Sequence, residues 1–314
     1  MRRLNAITFK QLRALSQVCE TGTISAAAEM LSLTPPAVHS QLKALEEIVG
    51  CQILKRGAEG FEPTPEGEAL LGAWRISHSV LEKAIRQIET LSKGLAGTVV
   101  LGVVSTAKYF APRLVVLLRE AFPDIDVVLR IGNRAQIIRY LQNEEADLVI
   151  MGRPPREPLV TAQSIGEHPH LLVAPPGHPL TQLDTVRPAD ILSEHIVLRE
   201  PGSGTRILTM RYFDEISPGH EYRHTEMESN ETIKQAVIAG LGIAILSAHT
   251  MHEELRSGRL VAVPARGLPI MRHWFVVHRA EAEPSHATRT VKDWITANPD
   301  RYLPSMDLVS QPAR

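Results

Sequence analysis

The chain has 314 residues but only two cysteines, Cys19 and Cys51. Neither stands in a CxxC or Cys/His spacing, which excludes a zinc site or a disulfide framework as the organising principle. Both fall in stretches read as helical, so two buried thiols in a reducing compartment are expected. No apolar run reaches the roughly 18 residues that a membrane span needs. The opening MRRLNAITFKQLRAL lacks the unbroken apolar core of a signal peptide, so no membrane partner and a cytoplasmic location are expected. Acidic residues are scarce at the start, where the first aspartate of the chain is Asp124. Before residue 46 the cations Arg2, Arg3, Lys10, Arg13 and Lys43 face only Glu20 and Glu29, although the whole chain is nearly neutral at −1. The local surplus, and not the global charge, leaves room for a polyanionic partner.

What is present is ordinary globular material, 44% hydrophobic and 22% charged. A chain of this length is too long for one core, so two or three domains are expected.

The stretch TISAAAEMLSLTPPAVHSQLKALE sets three alanines shortly before a double proline. Apolar residues at Phe9, Leu12, Leu15 and Val18 predict a first helix that ends before Gly22. Ser25 is expected to cap a second helix, Ser25 to Leu31, and Thr34 a third, Pro35 to Val49. Alanines at 26–28 allow close helix approach, with Leu31 and Leu33 plugging the core. This reads as a helix-turn-helix whose last helix turns Val38, Leu42 and Leu45 inward. Ser25, Thr34, Pro35, Pro36, His39, Ser40 and Lys43 are then candidates to face DNA, and ILKRGAEGFEPTPEG predicts a small hairpin, or wing, carrying Arg56. A helical hairpin that packs protein fits the alanines equally well, but needs no small, polar outer face.

From Thr64 to about Lys93, Leu70, Trp74, Ser77, Leu81, Ala84, Ile88 and Leu91 alternate at spacings of four and three. That seam predicts a long helix pairing with a second copy of the chain. Beyond it the texture changes. Strand-like 99–104, helix 111–121, strand 125–131, helix 134–143 and strand 147–151 form a βαβαβ run, with further strands at 170–174, 196–199, 242–246 and 273–278. Ser105 and Thr106 follow a strand and precede a helix, and Gly202 to Thr205 repeat that arrangement with Arg206 adjacent. Asn230 and Thr232 open another helix. Such polar helix starts suit a phosphate or carboxylate, though each alone is also an ordinary cap.

Residues 6–56, AITFKQLRALSQVCETGTISAAAEMLSLTPPAVHSQLKALEEIVGCQILKR, resemble the winged helix-turn-helix of LysR-type transcriptional regulators, and PTPEGEALL resembles the start of their dimerising linker helix. The family's usual Gln-Pro and Ser on the recognition helix are here Pro35-Pro36 and His39, and its usual Leu-Phe before the wing arginine is absent. GVVSTAKYFAP, IMGRPP, HPHLLVAPPGHPL, REPGSGTR and SNETIKQAVIAGLGIAILSAHT are similar to the CbbR subfamily, activators of Calvin-cycle (RuBisCO) operons. The resemblance implies an all-α winged helix-turn-helix (1–63), a linker helix (64–93) and a two-lobed, periplasmic-binding-protein-like α/β effector domain (94–300), with a tail at 301–314. Lobe one would be 94–162 with 267–300, and lobe two 163–266. It also implies double-stranded promoter DNA as partner, a dimer through the linker helix with a tetramer beyond it, contact with RNA polymerase, and a small anionic metabolite or NADPH as effector. Ser105, Thr106, Asn133, Ser203, Thr205, Arg206, Asn230 and Thr232 are the candidate effector residues, a neutral ring of donors apart from Arg206.

Other readings are weaker. Ser105 to Lys108 fits S-x-x-K, but no K-T-G follows, so catalysis and catalytic residues are not expected. His249 and His252 lack a third ligand and are expected on a solvated helix surface, so no metal is expected. His168 and His170 flank a proline, where packing is expected. GLGI at 240–243 reads as a helix C-cap. A transport-type solute-binding protein shares the two-lobed fold, but carries no DNA-reading head.

Overall fold

The structure, a computed structural model, describes residues 6–58, 60–92, 97–281 and 283–304. The chain divides into two compact units, residues 1–85 and 86–314.

In the first unit, α1 (Phe9–Thr21) is opened by Thr8, whose hydroxyl accepts from Gln11 N while the Gln11 side chain accepts from Thr8 N. Gly22, at φ 73°, closes it where the apolar pattern placed its end. α2 (Ile24–Leu31) starts one residue earlier than expected. Thr23, not Ser25, caps it by accepting from Ala26 N at 3.2 Å. α3 (Pro35–Val49) has the expected bounds, with Thr34 at the N-cap position but making no side-chain cap bond. The core holds Ala14, Leu15, Val18, Ala27, Ala28, Val38, Leu42, Leu45 and Ile53. The alanines do bring α2 against its neighbours. Leu31 is only half-buried and Leu33 is 41% exposed, because the left-handed turn at Ser32 carries the chain outward.

The wing is β1 (Leu54–Arg56) paired antiparallel with β2 (Phe61–Pro63). Cys51 is exposed in the turn after α3, against the expectation of a buried helical thiol, whereas burial pushes the half-buried Cys19 thiol up to about 11. α4 (Pro65–Ser92) begins where Thr64 Oγ1 accepts from Gly67 N at 3.1 Å and donates to Gln52 O at 2.9 Å. Its early residues Leu71 and Trp74 are buried, Trp74 edge-on to Phe9 at 5.4 Å. After that the apolar side chains Ile76, Val80, Leu81, Ile85 and Ile88 are 44–66% exposed. The burial of Leu91 lies outside the described residues.

In the second unit, a five-stranded sheet has the order β4-β3-β5-β12-β6. β3 (Gly97–Val104) lies inside the sheet, parallel to its neighbours β4 (Ile125–Gly132) and β5 (Leu148–Met151). Its run GTVVLGVV is buried from Val99 onward, as a strand covered on both faces requires. α5 (Ala111–Ala121) and α6 (Arg134–Gln142) make the crossovers. β6 (Val160–Glu167) lies at the edge, antiparallel to β12 (His273–Arg279). Residues 163–167, expected in lobe two, therefore belong to the first sheet. The crossing comes at His168.

The other lobe has β7 (His170–Ala174), α7 (Pro188–Leu192), β8 (Ile196–Arg199), α8 (Gly204–Ile216), β9 (His224–Met227), α9 (Asn230–Ile238), β10 (Ala244–Ser247), α10 (His252–Arg256) and β11 (Val261–Ala262). β7 sits between β10 and β11, while β8 pairs with β9 and is tied to the first group through Ile196 and Ile243. Gly240, just past α9, has φ 83°, as the C-cap reading of GLGI requires. The chain returns beside its outward crossing, with His168 N donating to Arg272 O at 2.7 Å and His170 N to Ile270 O at 3.0 Å. α11 (His286–Ala297) and α12 (Pro299–Tyr302) complete the first lobe. Residues 301–303 are not tail: buried Tyr302 donates its hydroxyl to Ile295 O at 2.9 Å.

Candidate functional site

At the N-terminal end of α3, Thr34, Pro35, Pro36, His39, Ser40 and Lys43 are all exposed, and Ser25 is exposed in the first turn of α2. Fixed φ at the two prolines starts the helix without needing their missing N–H groups. Glu46 accepts from Ile53 N at 3.1 Å and so ties this helix to the wing. Arg56 projects from β1 with its guanidinium 5.8 Å from the Phe61 ring centre. Among the described residues the exposed Lys10, Arg13, Lys43 and Arg56 have no ion-pair partner, which leaves their charge available to phosphate oxygens.

A second site lies in the α/β unit. A cavity of about 200 Å³ is lined by Ser105 and Thr106 after β3, by Ser203 and Thr205 at the start of α8, and by Arg134, Arg153, His168, His170, Arg211 and Arg272. Four of the eight sequence-predicted effector residues therefore meet in one place. The other four do not line it. Asn133 caps α6 and donates to Glu200 at 3.3 Å. Arg206 donates to Arg199 O and pairs with Glu226, which commits its charge. Asn230 is buried against Arg199, and exposed Thr232 bonds Ser229 within its own helix start.

The expected neutral ring of donors is in fact strongly cationic. Among the described residues none of Arg134, Arg153, Arg211 and Arg272 has an ion-pair partner, whereas Arg130, Arg199, Arg206 and Arg279 all do. Burial, and then the neighbouring Arg153, hold the Arg134 guanidinium below its ordinary range. Its Nη1 donates to Arg153 O, which orients it. Ser203 stands at the N-cap of α8 without a side-chain cap bond, so the first-turn N–H groups of that helix remain for a ligand.

The lobes also touch directly beside the cavity. Arg199, 3% exposed, is gripped by both Glu200 oxygens at 2.7 and 2.9 Å and reaches Ser105 Oγ at 3.2 Å. Tyr109 donates to Glu231, and Ala135 N to Gly202 O at 3.1 Å. These contacts join the two lobes along the edge of the cavity.

The profile of the bacterial regulatory helix-turn-helix, lysR family, matches residues 9–68, and that of the LysR substrate binding domain matches residues 92–300. The chain is 48% identical over 306 residues to the transcriptional regulator CbbR of Cereibacter sphaeroides, covering 97% of this chain and 99% of that one. It belongs to the LysR family of transcriptional regulators. CbbR of Rhizobium meliloti (strain 1021) is 42% identical over 98% of this chain and 97% of its own length, which sets this LysR-type, DNA-binding regulator in the CbbR group. A RuBisCO operon transcriptional regulator of Acidithiobacillus ferrooxidans is 35% identical over 92% of this chain and 94% of that one. Among solved structures, the CcmR regulatory domain of Synechocystis PCC6803 in complex with 2-PG is 35% identical, with a TM-score of 0.61, covering 64% of this chain and 96% of that one. CbnR, a LysR family transcriptional regulator, 19% identical with a TM-score of 0.69 over 95% of this chain and 100% of its own, shares the fold. The relatives are regulators and not enzymes, and this LysR-type chain is likewise a regulator. No helix among its described residues is long and apolar enough to cross a membrane.

Sequence reasoning missed the four cavity arginines of this LysR-type protein because each sits in a different segment with no local motif. His249, expected on a solvated helix, is 3% exposed and accepts from Trp274 Nε1 at 2.8 Å. Its burial at the inter-lobe crossing could be anticipated only from the three-dimensional pairing of 170 with 270.

Proposed function

We propose that this regulator controls a carbon-fixation operon encoding RuBisCO, reading its promoter with α3 and the wing, and that a small anionic metabolite held between the two lobes sets its activity. The observation that carries the effector half is the convergence of four unpaired guanidinium groups on hydroxyls and free helix amides in one cavity. Arg134 and Arg272 are half-buried and Arg153 and Arg211 exposed, so the four like charges repel one another and an anion among them gains charge-assisted hydrogen bonds. The names of the relatives support the operon. The ligand in the CcmR title, 2-PG, supports a compact anion as effector. A cavity of about 200 Å³ suits such a molecule better than NADPH, since pockets for drug-sized ligands usually run to about 300–1,000 Å³.

The exposed apolar stripe of α4 supports a dimer through that helix, with a tetramer and contact to RNA polymerase as further steps in activation. Isothermal titration of the full-length protein with 2-PG and with NADPH, alongside footprinting on the promoter of a neighbouring RuBisCO operon, tests the reading. Binding of 2-PG that is lost in Arg134→Ala, together with a protected promoter site, supports it. No protection on that promoter overturns the operon, and 2-PG binding that survives Arg134→Ala and Arg272→Ala overturns the cavity.

A further inference from the structure

Two histidines line the cavity, and among the described residues that line it there is no carboxylate. His168 and His170 are 3% and 4% exposed, with ring centres 4.3 Å apart. His170 Nδ1 lies 3.2 Å from His168 O, and a carbonyl only accepts, so Nδ1 carries the hydrogen and the neutral ring keeps a lone pair on Nε2. His168 Nε2 shares a hydrogen bond with Ser247 Oγ at 2.9 Å, while its buried Nδ1 has no partner. That Nδ1 looks toward Gly152 of the cavity wall, where an added Cβ would stand 2.9 Å away.

The groups around the pair are known from each side. Trp274 of β12 stacks on His168 and Ser247 of β10 bonds it. His249 lies 5.9 Å from His168, Arg272 stands on the return crossing, and Arg134, Arg153 and Arg211 complete the cavity wall. Glu167, the preceding residue, is exposed and lines a different cavity with His249. Among the described residues, every charge lining the cavity beside the two imidazoles is positive or another imidazole. Without a ligand, a proton on either ring meets only repulsion and burial.

An anion reverses that balance. It neutralises the arginines and turns an imidazole lone pair from a liability into a useful N–H donor once protonated. The indole face under His168 also favours a cationic ring. At 4.3 Å the two rings accommodate one positive charge between them and not two.

We propose that an anion enters this cavity together with one proton from solvent, which forms an N–H bond on the His168–His170 pair. Ligand affinity then falls as pH rises, so the regulator reads metabolite level and acidity jointly. This rests on the effector-cavity reading above.

The test uses the full-length protein and inorganic sulfate, which stays fully ionised across neutral pH, because a phosphate monoester titrates near pH 6 and would push the trend the opposite way. Sulfate affinity is measured by calorimetry from pH 6 to pH 8, in two buffers of different ionisation heat, which counts protons taken up by the unaltered protein. The expected result is net proton uptake, with affinity weakening by up to about tenfold per pH unit. The dependence flattens in His170→Asn and in His168→Gln, and persists in His220→Ala, an exposed histidine elsewhere. Sulfate binding with no proton uptake overturns the coupling but leaves the cavity reading intact, as does a pH dependence that survives both cavity variants. Failure of sulfate and of 2-PG to bind at any pH overturns both.

Discussion

His168 lies face to face with Trp274, ring centres 3.7 Å apart and planes within 13° of parallel. One residue sits where the chain leaves the first lobe and the other where it returns, so this stack clamps the two crossings together. The Trp274 Nε1–H donor continues the clamp to His249 Nδ1 at 2.8 Å. A ligand in the proposed cavity would therefore press on the double crossing, the place where a two-lobed domain hinges.

Trp274→Phe keeps a ring under His168 but leaves His249 Nδ1 buried without its donor. Such an orphaned group costs about 1–3 kcal/mol. Thermal or urea unfolding of the α/β unit should show a loss of that size, and an unchanged midpoint would mean that the Trp274–His249 hydrogen bond contributes nothing.

Acidification should destabilise the same unit. Burial holds His170 and His249 down to about 4, and lowers His168 as well. Their folded-state values are depressed, so between roughly pH 6.5 and pH 4 the unfolded chain binds more protons and stability falls as pH falls. A shift from 6.5 to about 4 corresponds to roughly 3 kcal/mol per group. Urea midpoints measured without anions at pH 7.5 and pH 5 should differ in that direction, and Arg134→Ala should not abolish the difference.

Removing one cavity arginine should weaken the anion and spare the DNA. A hydrogen bond to a charged group contributes about 1.5–3 kcal/mol, so Arg134→Ala or Arg272→Ala should cost roughly 10- to 100-fold in 2-PG affinity. Operator binding without effector should be unchanged by gel shift. Equal loss of both activities would indicate misfolding instead.

On the DNA-facing surface, Arg56→Ala should weaken binding to all sequences alike and lower the slope of log affinity against log salt by about one. His39→Ala should instead relax selectivity at one position of the operator. Loss of selectivity in Arg56→Ala, with none in His39→Ala, would exchange the two roles.

Leu81 and Ile88 are 48% and 66% exposed in the single chain, so aspartate at both positions should leave the fold intact. In a dimer the same pair would bury unpaired carboxylates at several kcal/mol. Sedimentation of Leu81→Asp/Ile88→Asp should therefore show folded monomers, and an undiminished oligomer would place the interface off α4.

Much of the fold was legible locally. α3 has the residue bounds that Pro35, Pro36 and its apolar spacing predict, and α5, β7 and β8 match the runs read for them as well. Caps, prolines and apolar periodicity act within a few residues, so these elements carry their own signals. Ser105, Thr106, Ser203 and Thr205 were found because a strand-to-helix junction is also local.

The rest was decided at a distance. β6 reads VTAQSIGE, mostly exposed and weakly patterned, and its membership in the first sheet comes from pairing with β12, more than 100 residues away. Arg134, Arg153, Arg211 and Arg272 look in sequence like any surface cations. Only folding brings them to one wall without acidic partners, and a charge's meaning depends on its neighbours in space. The same holds for His168, His249 and Trp274: sequence determined that these rings exist, and the double crossing between lobes determined that they stack, lose water and stay neutral.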